Sequence, residues 1–273
     1  MSDPVASALL IVAAIAYLGG AVVVVAALAK VLATWPQGWR TRRAAEPADQ
    51  ALQQRAAAAM AAVAERAKVA APATDVVAIL GAPTGDGDRG VGDGGLAVTR
   101  FRAGQPATVV FAQVALTGLS CAAVESLAAH ELAHVIRRDR TSAGARYAWV
   151  LGYLVLVLAG VSLTVTAAVV APPLAGPAMV ATMTAAVAFL GLRVAFDRRE
   201  EIAADLFAVD LTRDLDAAAE LMWFYEDNVV RPRPGGVLGR AWAHLERRWF
   251  ATHPEPQVRL AAMRRHLVHQ AGD

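Results

Sequence analysis

Residues 130–134 read His-Glu-Leu-Ala-His. Histidines four apart stand one turn above each other on the same helical face, so both imidazoles can reach a single metal ion. Glu131, beside the first histidine, stands where the motif puts the general base that acts on water at a zinc centre. The run from Ser120 to Asp139 is mostly helix formers, with Leu127 and Leu132 among small residues, as a buried catalytic helix requires. Catalytic zinc takes three protein ligands and keeps a fourth position open, so one more donor is needed. The remaining histidines are His244, His253, His266 and His269; of these His244, His266 and His269 read as exposed, with no constellation around them. A carboxylate is the other option. In Asp197-Arg-Arg-Glu-Glu-Ile-Ala-Ala-Asp205, Glu201 and Asp205 share one helical face. An Asp one turn after a ligand is well placed to bond the free ring nitrogen of a ligating histidine. Residue types alone leave this segment open between a ligand-bearing helix and a solvated, charged helix start.

The elements that must carry these residues are set by hydropathy. The chain has 273 residues, of which 56% are hydrophobic and only 18% charged, and its mean hydropathy is +0.42. Such a composition excludes a mainly disordered chain, and the apolar residues are clustered. Val5–Ala29 carries no charge and is long enough to cross a bilayer core about 30 Å thick. It lacks the basic leader of a signal peptide and reads as a signal anchor. A second uncharged tract lies between Arg146 and Arg193; as one helix it would measure about 70 Å, twice what a bilayer needs. Pro172-Pro173 and Pro177 mark a turn in its middle, which predicts helices over Tyr147–Val170 and Leu174–Leu192. The total is three spans. Arg40, Arg42 and Arg43 follow the first, Arg137, Arg138, Arg140 and Arg146 precede the second, and Arg193, Arg198 and Arg199 follow the third. The positive-inside rule then puts the N-terminus outside and the polar segments in the cytoplasm, in a multi-pass protein of the plasma membrane. The expected organisation is an anchor over 1–34, a first cytoplasmic part over 35–146, a membrane hairpin over 147–192 and a second cytoplasmic part over 193–273.

Within the cytoplasmic parts, Asp49–Val69 reads as a helix, and Asp75–Leu80, Gly95–Arg102 and Ala107–Leu116 hold short β-branched runs. Gly81–Gly95 is rich in Gly and Asp but has no Gly-Lys-Ser/Thr ending and no following helix, so it reads as a hairpin loop rather than a phosphate cradle. A net charge of +2 without charge runs gives no case for nucleic acid. The single cysteine, Cys121, excludes an intramolecular disulfide and a Cys-based zinc cluster. Its small, apolar neighbours predict a buried, inert thiol. Leu221-Met-Trp-Phe-Tyr225 is the most aromatic stretch and suits either core packing or the lining of a substrate groove. Arg231–Gly236 resembles a linker, either a gate to the site or a plain surface loop.

His130-Glu131-Leu-Ala-His134 with Asp139 five residues on, a membrane hairpin, Arg198-x-x-Glu201-x-x-Ala204-Asp205, and a later Thr252-His253-Pro254 followed by Arg259-Leu260 together resemble the HtpX and CAAX prenyl protease family of integral-membrane zinc metalloproteases. The likeness covers about Val109 to Met263. It implies a mainly α membrane protein with a cytoplasmic α+β, zincin-like domain carrying a small sheet. It implies one zinc ion per chain on His130, His134 and Glu201, with Glu131 as base. Asp139 and Asp205 then support that centre from outside, Arg259 either holds an Asp or Glu there or caps the fold, and His253 either stabilises the oxyanion or is a helix-capping or surface residue. The partners implied are a polypeptide substrate, membrane-bound or misfolded, and the lipid bilayer. The substrate would lie extended along a sheet edge, expected at Ala107–Leu116. Three features depart from the family: one span before the zinc helix where two are usual, Asp197 where Ser is commoner, and Glu200-Glu201, which leaves the register of the ligand open. The runner-up enzyme is a BlaR/MecR-type signalling metalloprotease, though no segment here outside the membrane is large enough to sense a ligand. The alternative in another class is a non-catalytic membrane scaffold with a structural metal or none.

Overall fold

The computed structural model describes residues 49–77, 95–101, 106–137, 143–230 and 253–272. The expected span Val5–Ala29, the glycine-rich loop before Gly95, Asp139, and the Arg231–Gly236 segment lie outside the described residues. Those described form two compact units, one comprising Arg146–Arg193 and the other the remainder.

The second unit starts with helix α1 (Gln50–Arg66). Asp49 caps it by accepting the N–H of Ala51 at 3.0 Å. Ala56, Ala59, Met60, Val63 and Ala64 form its buried stripe, at the three-and-four spacing of a helix covered on one side. Strands β1 (Ala73–Val77), β2 (Ala97–Arg100) and β3 (Thr108–Ala112) form a sheet in the order β1-β3-β2, with β1 parallel and β2 antiparallel to β3. Alternation along the strands sorts the two faces. Val76, Ala97, Val109 and Phe111 join the main core under the helices, while Val77, Val98, Val110 and Ala112 form a small cluster on the other side.

Two sequence expectations change here. The strand expected to run through Leu116 stops at Ala112, and Gln113–Gly118 coils into a short helix, α2. That turn buries Ala115 and Leu116, and Arg55 donates to the carbonyls of Leu116 and, at 2.7 Å, Leu119, groups the sheet no longer satisfies. β3 is also the middle strand. It is paired on both sides and offers no edge to a substrate.

Helix α3 (Cys121–Ile136) is capped by Ser120, whose Oγ accepts the N–H of Ala123 at 3.1 Å. Ser120 also donates its N–H and O–H to Glu220 at 2.7 and 2.6 Å, which fastens α6 (Leu215–Tyr225) to the start of α3. Cys121 is exposed rather than buried. It is the first residue of the helix, two residues before the buried face begins at Ala123, with the Arg55 guanidinium 3.8 Å from its sulfur. Helix α7 (Pro256–Gly272) packs on α6.

The first unit is a helical hairpin. Helix α4 (Ala143–Val170) and helix α5 (Pro172–Thr212) are joined through Ala171 alone. The prolines work differently from expectation. Pro172 and Pro173 start α5, where their missing N–H groups cost nothing, and the helix runs on through Pro177 instead of breaking. Nor does it end at Leu192: α5 spans 41 residues, with uncharged turns first and the charged Arg193–Thr212 stretch last. Gly160 lets the helices close, since a Cβ there would overlap the Thr182 side chain. Trp149 meets the edge of Phe189 at 4.9 Å and lies under Arg193 at 5.6 Å. Both helices are long and apolar enough to cross a membrane. Only 11% and 6% of their most apolar stretches are buried by protein, far from the cover a soluble core helix would have.

Candidate metal centre

Three helices supply the site. α3 buries Val124, Leu127, Ala128 and Leu132 in the core, and the same packing fixes His130 and Glu131, 7% and 5% exposed, at its inner end. His130 and His134 are one turn apart, with Nε2 atoms 3.2 Å from each other and rings crossed at 85°. The charged part of α5 brings Glu201 to them, its carboxylate oxygens 3.5 Å from His130 Nε2 and 3.6 Å from His134 Nε2. Donor atoms of these three residues lie within 4.8 Å of one another. Buried Glu201 Oε2 makes no hydrogen bond. A buried carboxylate oxygen without a hydrogen bond is costly, and a cation held between the three donors would relieve that cost. Two His and a Glu are also a known donor set of catalytic zinc, so the residues present fit the metal.

Around this trio is a network on which the outer groups converge. His130 Nδ1–H donates to Asp205 at 2.9 Å, which turns Nε2 inward. Asp205, 2% exposed, also accepts from Arg259 Nε and Nη2 at 2.7 and 2.6 Å. Arg259 comes from α7 and lies over the Tyr225 ring at 5.8 Å. Burial disfavours a charged His130, but Asp205 and Glu201 outweigh it and push the ring up to about 10. Burial and the neighbouring His130 lower His134. Burial opposes ionisation of Glu201 too, yet His130, His253 and Arg259 hold it well below the usual carboxylate range. For Asp205 the same opposition is overcome by Arg259, and for Arg259 burial is overcome by Asp205, so each keeps its charge more firmly than usual.

The register ambiguity between Glu200 and Glu201 has a definite geometry. Glu201 faces the histidines, while Glu200 accepts a forked bond from Arg137 at 3.0–3.2 Å. His253, for which two readings stood open, has Nε2 3.3 Å from Glu201 Oε2 in a half-exposed side chain. It borders a cavity of about 120 Å³ that Leu127, His130, Glu131, Tyr225 and Arg259 also line. Leu221 and Met222 of the aromatic stretch are buried in the core, as its core-packing reading expects, and they also line this cavity. His266, expected to be exposed and unaccompanied, is half-buried with Nε2 2.9 Å from both Asp210 oxygens, away from the site; the pairing of α7 with α5 explains it.

Residues 101–267 match the model of Peptidase family M48. The chain belongs to peptidase family M48. M48 is a metallopeptidase family, in keeping with the HtpX-type resemblance and with a His-His-Glu group able to hold a metal. No curated protein and no solved structure matches the chain. The M48 match begins just after β2, so that strand lies outside it. Thr99 on β2 is the contact that sequence reasoning missed: its hydroxyl donates to Glu131 Oε2 at 2.7 Å. The one signal in the sequence was a polar residue at a core-facing position of a strand, legible only once the face was assigned.

Proposed function

We propose that this M48 member is a membrane-embedded zinc endopeptidase of HtpX type, with His130, His134 and Glu201 as ligands and Glu131 as general base. The observation that carries the reading is the convergence on one point of a buried imidazole, a half-buried one and a buried carboxylate oxygen that makes no hydrogen bond, with Glu131 in the same cavity. A bound zinc ion would polarise the scissile carbonyl and make water acidic enough to lose a proton near neutral pH. Glu131 takes that proton and later returns it to the leaving amine. Asp205 holds the His130 tautomer with Nε2 inward, and Arg259 keeps Asp205 ionised and in place. His253 borders the cavity and can donate a hydrogen bond where negative charge develops on the substrate carbonyl oxygen.

The substrate reading moves to a different strand. Among the described residues β2 is an edge of the sheet, and Leu96 and Ala97 line the cavity beside Glu131. An extended peptide added to that edge would have its main chain held by hydrogen bonds and tolerate many side chains. Misfolded or membrane-bound polypeptides are the substrates such tolerance suits. Two long helices left uncovered by protein, flanked by arginines, support a multi-pass protein of the plasma membrane with its N-terminus outside and the site in the cytoplasm.

The test is zinc per chain in detergent-purified wild type beside Glu201→Ala, with hydrolysis of a quenched-fluorescence peptide library by wild type and Glu131→Gln. About one zinc in the wild type, much less in Glu201→Ala, and zinc without hydrolysis in Glu131→Gln are expected. A folded wild type that takes up no zinc would sink the protease reading in favour of a scaffold, and turnover by Glu131→Gln would remove the base.

A further inference from the structure

Resting on the reading of Glu131 as the base, we infer that Thr99 is its positioning residue: the hydroxyl on the edge strand holds one oxygen of the Glu131 carboxylate and leaves the other for the proton of the attacking water. The starting point is a misfit in the strand pattern. β2 alternates between the main core face, which takes Ala97, and the opposite cluster, which takes Val98. Thr99 therefore falls on the core side, where neighbouring strand positions hold Val76, Val109 and Phe111. A hydroxyl at such a place needs a partner. It has two acceptors, both on one residue: Oε2 of Glu131 at 2.7 Å and the Glu131 backbone carbonyl at 3.2 Å.

The geometry is stiff on both sides. Thr99 is β-branched, so its side-chain rotamers are few, and its backbone is fixed opposite Val109 in the antiparallel ladder. Glu131 is rooted in the buried stretch Ser126–Ala133 of α3 and is 5% exposed. The Thr99 hydroxyl has one proton to give. While Glu131 is ionised, the shorter, charge-assisted bond to Oε2 takes it. That bond fixes the carboxylate plane and presents Oε1 as the proton acceptor. When water's proton has moved onto Oε1 and the carboxyl is neutral, the hydroxyl can turn to the carbonyl 3.2 Å away. It never has to be left unsatisfied in either charge state. When the proton passes from Oε1 to the leaving amine nitrogen, the carboxylate and the first hydrogen bond are restored. Atoms balance around the cycle, and Thr99 neither gains nor loses a proton.

The experiment compares Thr99→Val, Thr99→Ser and Glu131→Gln in the full-length, zinc-loaded chain in detergent. Valine keeps the branched shape and β preference, so zinc content and helical circular dichroism should stay at wild-type levels. With a quenched-fluorescence peptide that the wild type cleaves, Thr99→Val should lose about 10- to 100-fold in kcat with little change in KM, as is usual when an outer partner of a catalytic group is removed. Thr99→Ser, which keeps the hydroxyl, should restore most of it. A second readout needs no turnover: calorimetric binding of a leucine-based peptide hydroxamate, which hydrogen-bonds the base, should weaken in Thr99→Val and recover in Thr99→Ser. Wild-type kcat and hydroxamate affinity in Thr99→Val would overturn the inference, as would a loss that serine does not rescue. Turnover by Glu131→Gln would instead overturn the assignment of the base itself, whatever the Thr99 variants do.

Discussion

Replacing Asp205 with Asn changes a single oxygen to an NH2 group, and the structure makes its consequences calculable. Asp205 accepts three hydrogen bonds, from His130 Nδ1 and from two nitrogens of Arg259, in a position 2% exposed to solvent. An amide has one acceptor oxygen. If it stays with His130, the new NH2 points at Arg259 Nε, donor against donor; if it turns to Arg259, the donor faces His130. In either arrangement Arg259, 4% exposed, loses its full counter-charge and keeps only Glu201 at 4.0 Å. Breaking one side of a buried pair costs about 3–5 kcal/mol, and since the amide keeps part of the bonding the lower end, about 3 kcal/mol, is expected for the metal-free protein. The effect on metal is separate. His130 loses the anion that orients its ring and raises its basicity, so zinc affinity should fall about 10- to 100-fold, or about 1.4–2.7 kcal/mol. Competition against a chromophoric chelator measures the second quantity, and thermal unfolding of the chelated protein the first. An Asp205→Asn protein with wild-type zinc affinity and an unmoved unfolding midpoint would refute the view that Asp205 holds the centre together.

Three further predictions follow from the same geometry. In the metal-free protein His130 is raised to about 10, so its stabilising contribution is complete below its ordinary value of about 6.5 and fades as pH rises through about 10. Metal must displace that proton: zinc uptake near neutral pH should release it, as calorimetry in buffers of different ionisation enthalpy would register, and affinity should tighten as pH rises. Glu200→Gln removes a buried carboxylate that pairs with Arg137, so zinc content should equal wild type, with about 1–3 kcal/mol lost in thermal unfolding. Zinc loss in Glu200→Gln would reverse the register. Phe111→Ala, at a position with no solvent exposure in the middle strand, should cost about 3–5 kcal/mol in denaturant unfolding, a loss seen with or without zinc.

Much of the centre could be read from spacing because helices convert sequence intervals into faces. His130 and His134 at an interval of four, and Glu201 and Asp205 at the same interval, needed only the period of one helix. What a single period cannot supply is the pairing between segments. The three strands were legible as β-branched runs, but their order was not, because it depends on which faces bury together, so the middle strand passed for an edge. Thr99 was missed for the same reason. Cys121 was misjudged because apolar neighbours say nothing about which way the first turn of a helix points. Pro177 was overweighted as a breaker, although the long α5 absorbs it within two turns of its start. Glu200 and Glu201 differ by about 100° around a helix, and only the location of Arg137 and the histidines separates them.

Asp205 and Arg259 follow His130 by 75 and 129 residues. A ribosome adding about 5–20 residues per second therefore exposes the His-Glu-x-x-His helix several seconds before the arginine that completes its surroundings. Through that interval His130 has neither its orienting carboxylate nor the buried cation that steadies it, and the nascent chain lacks the finished centre. The metallopeptidase site thus gains its full constellation only when α7 has been synthesised and packed.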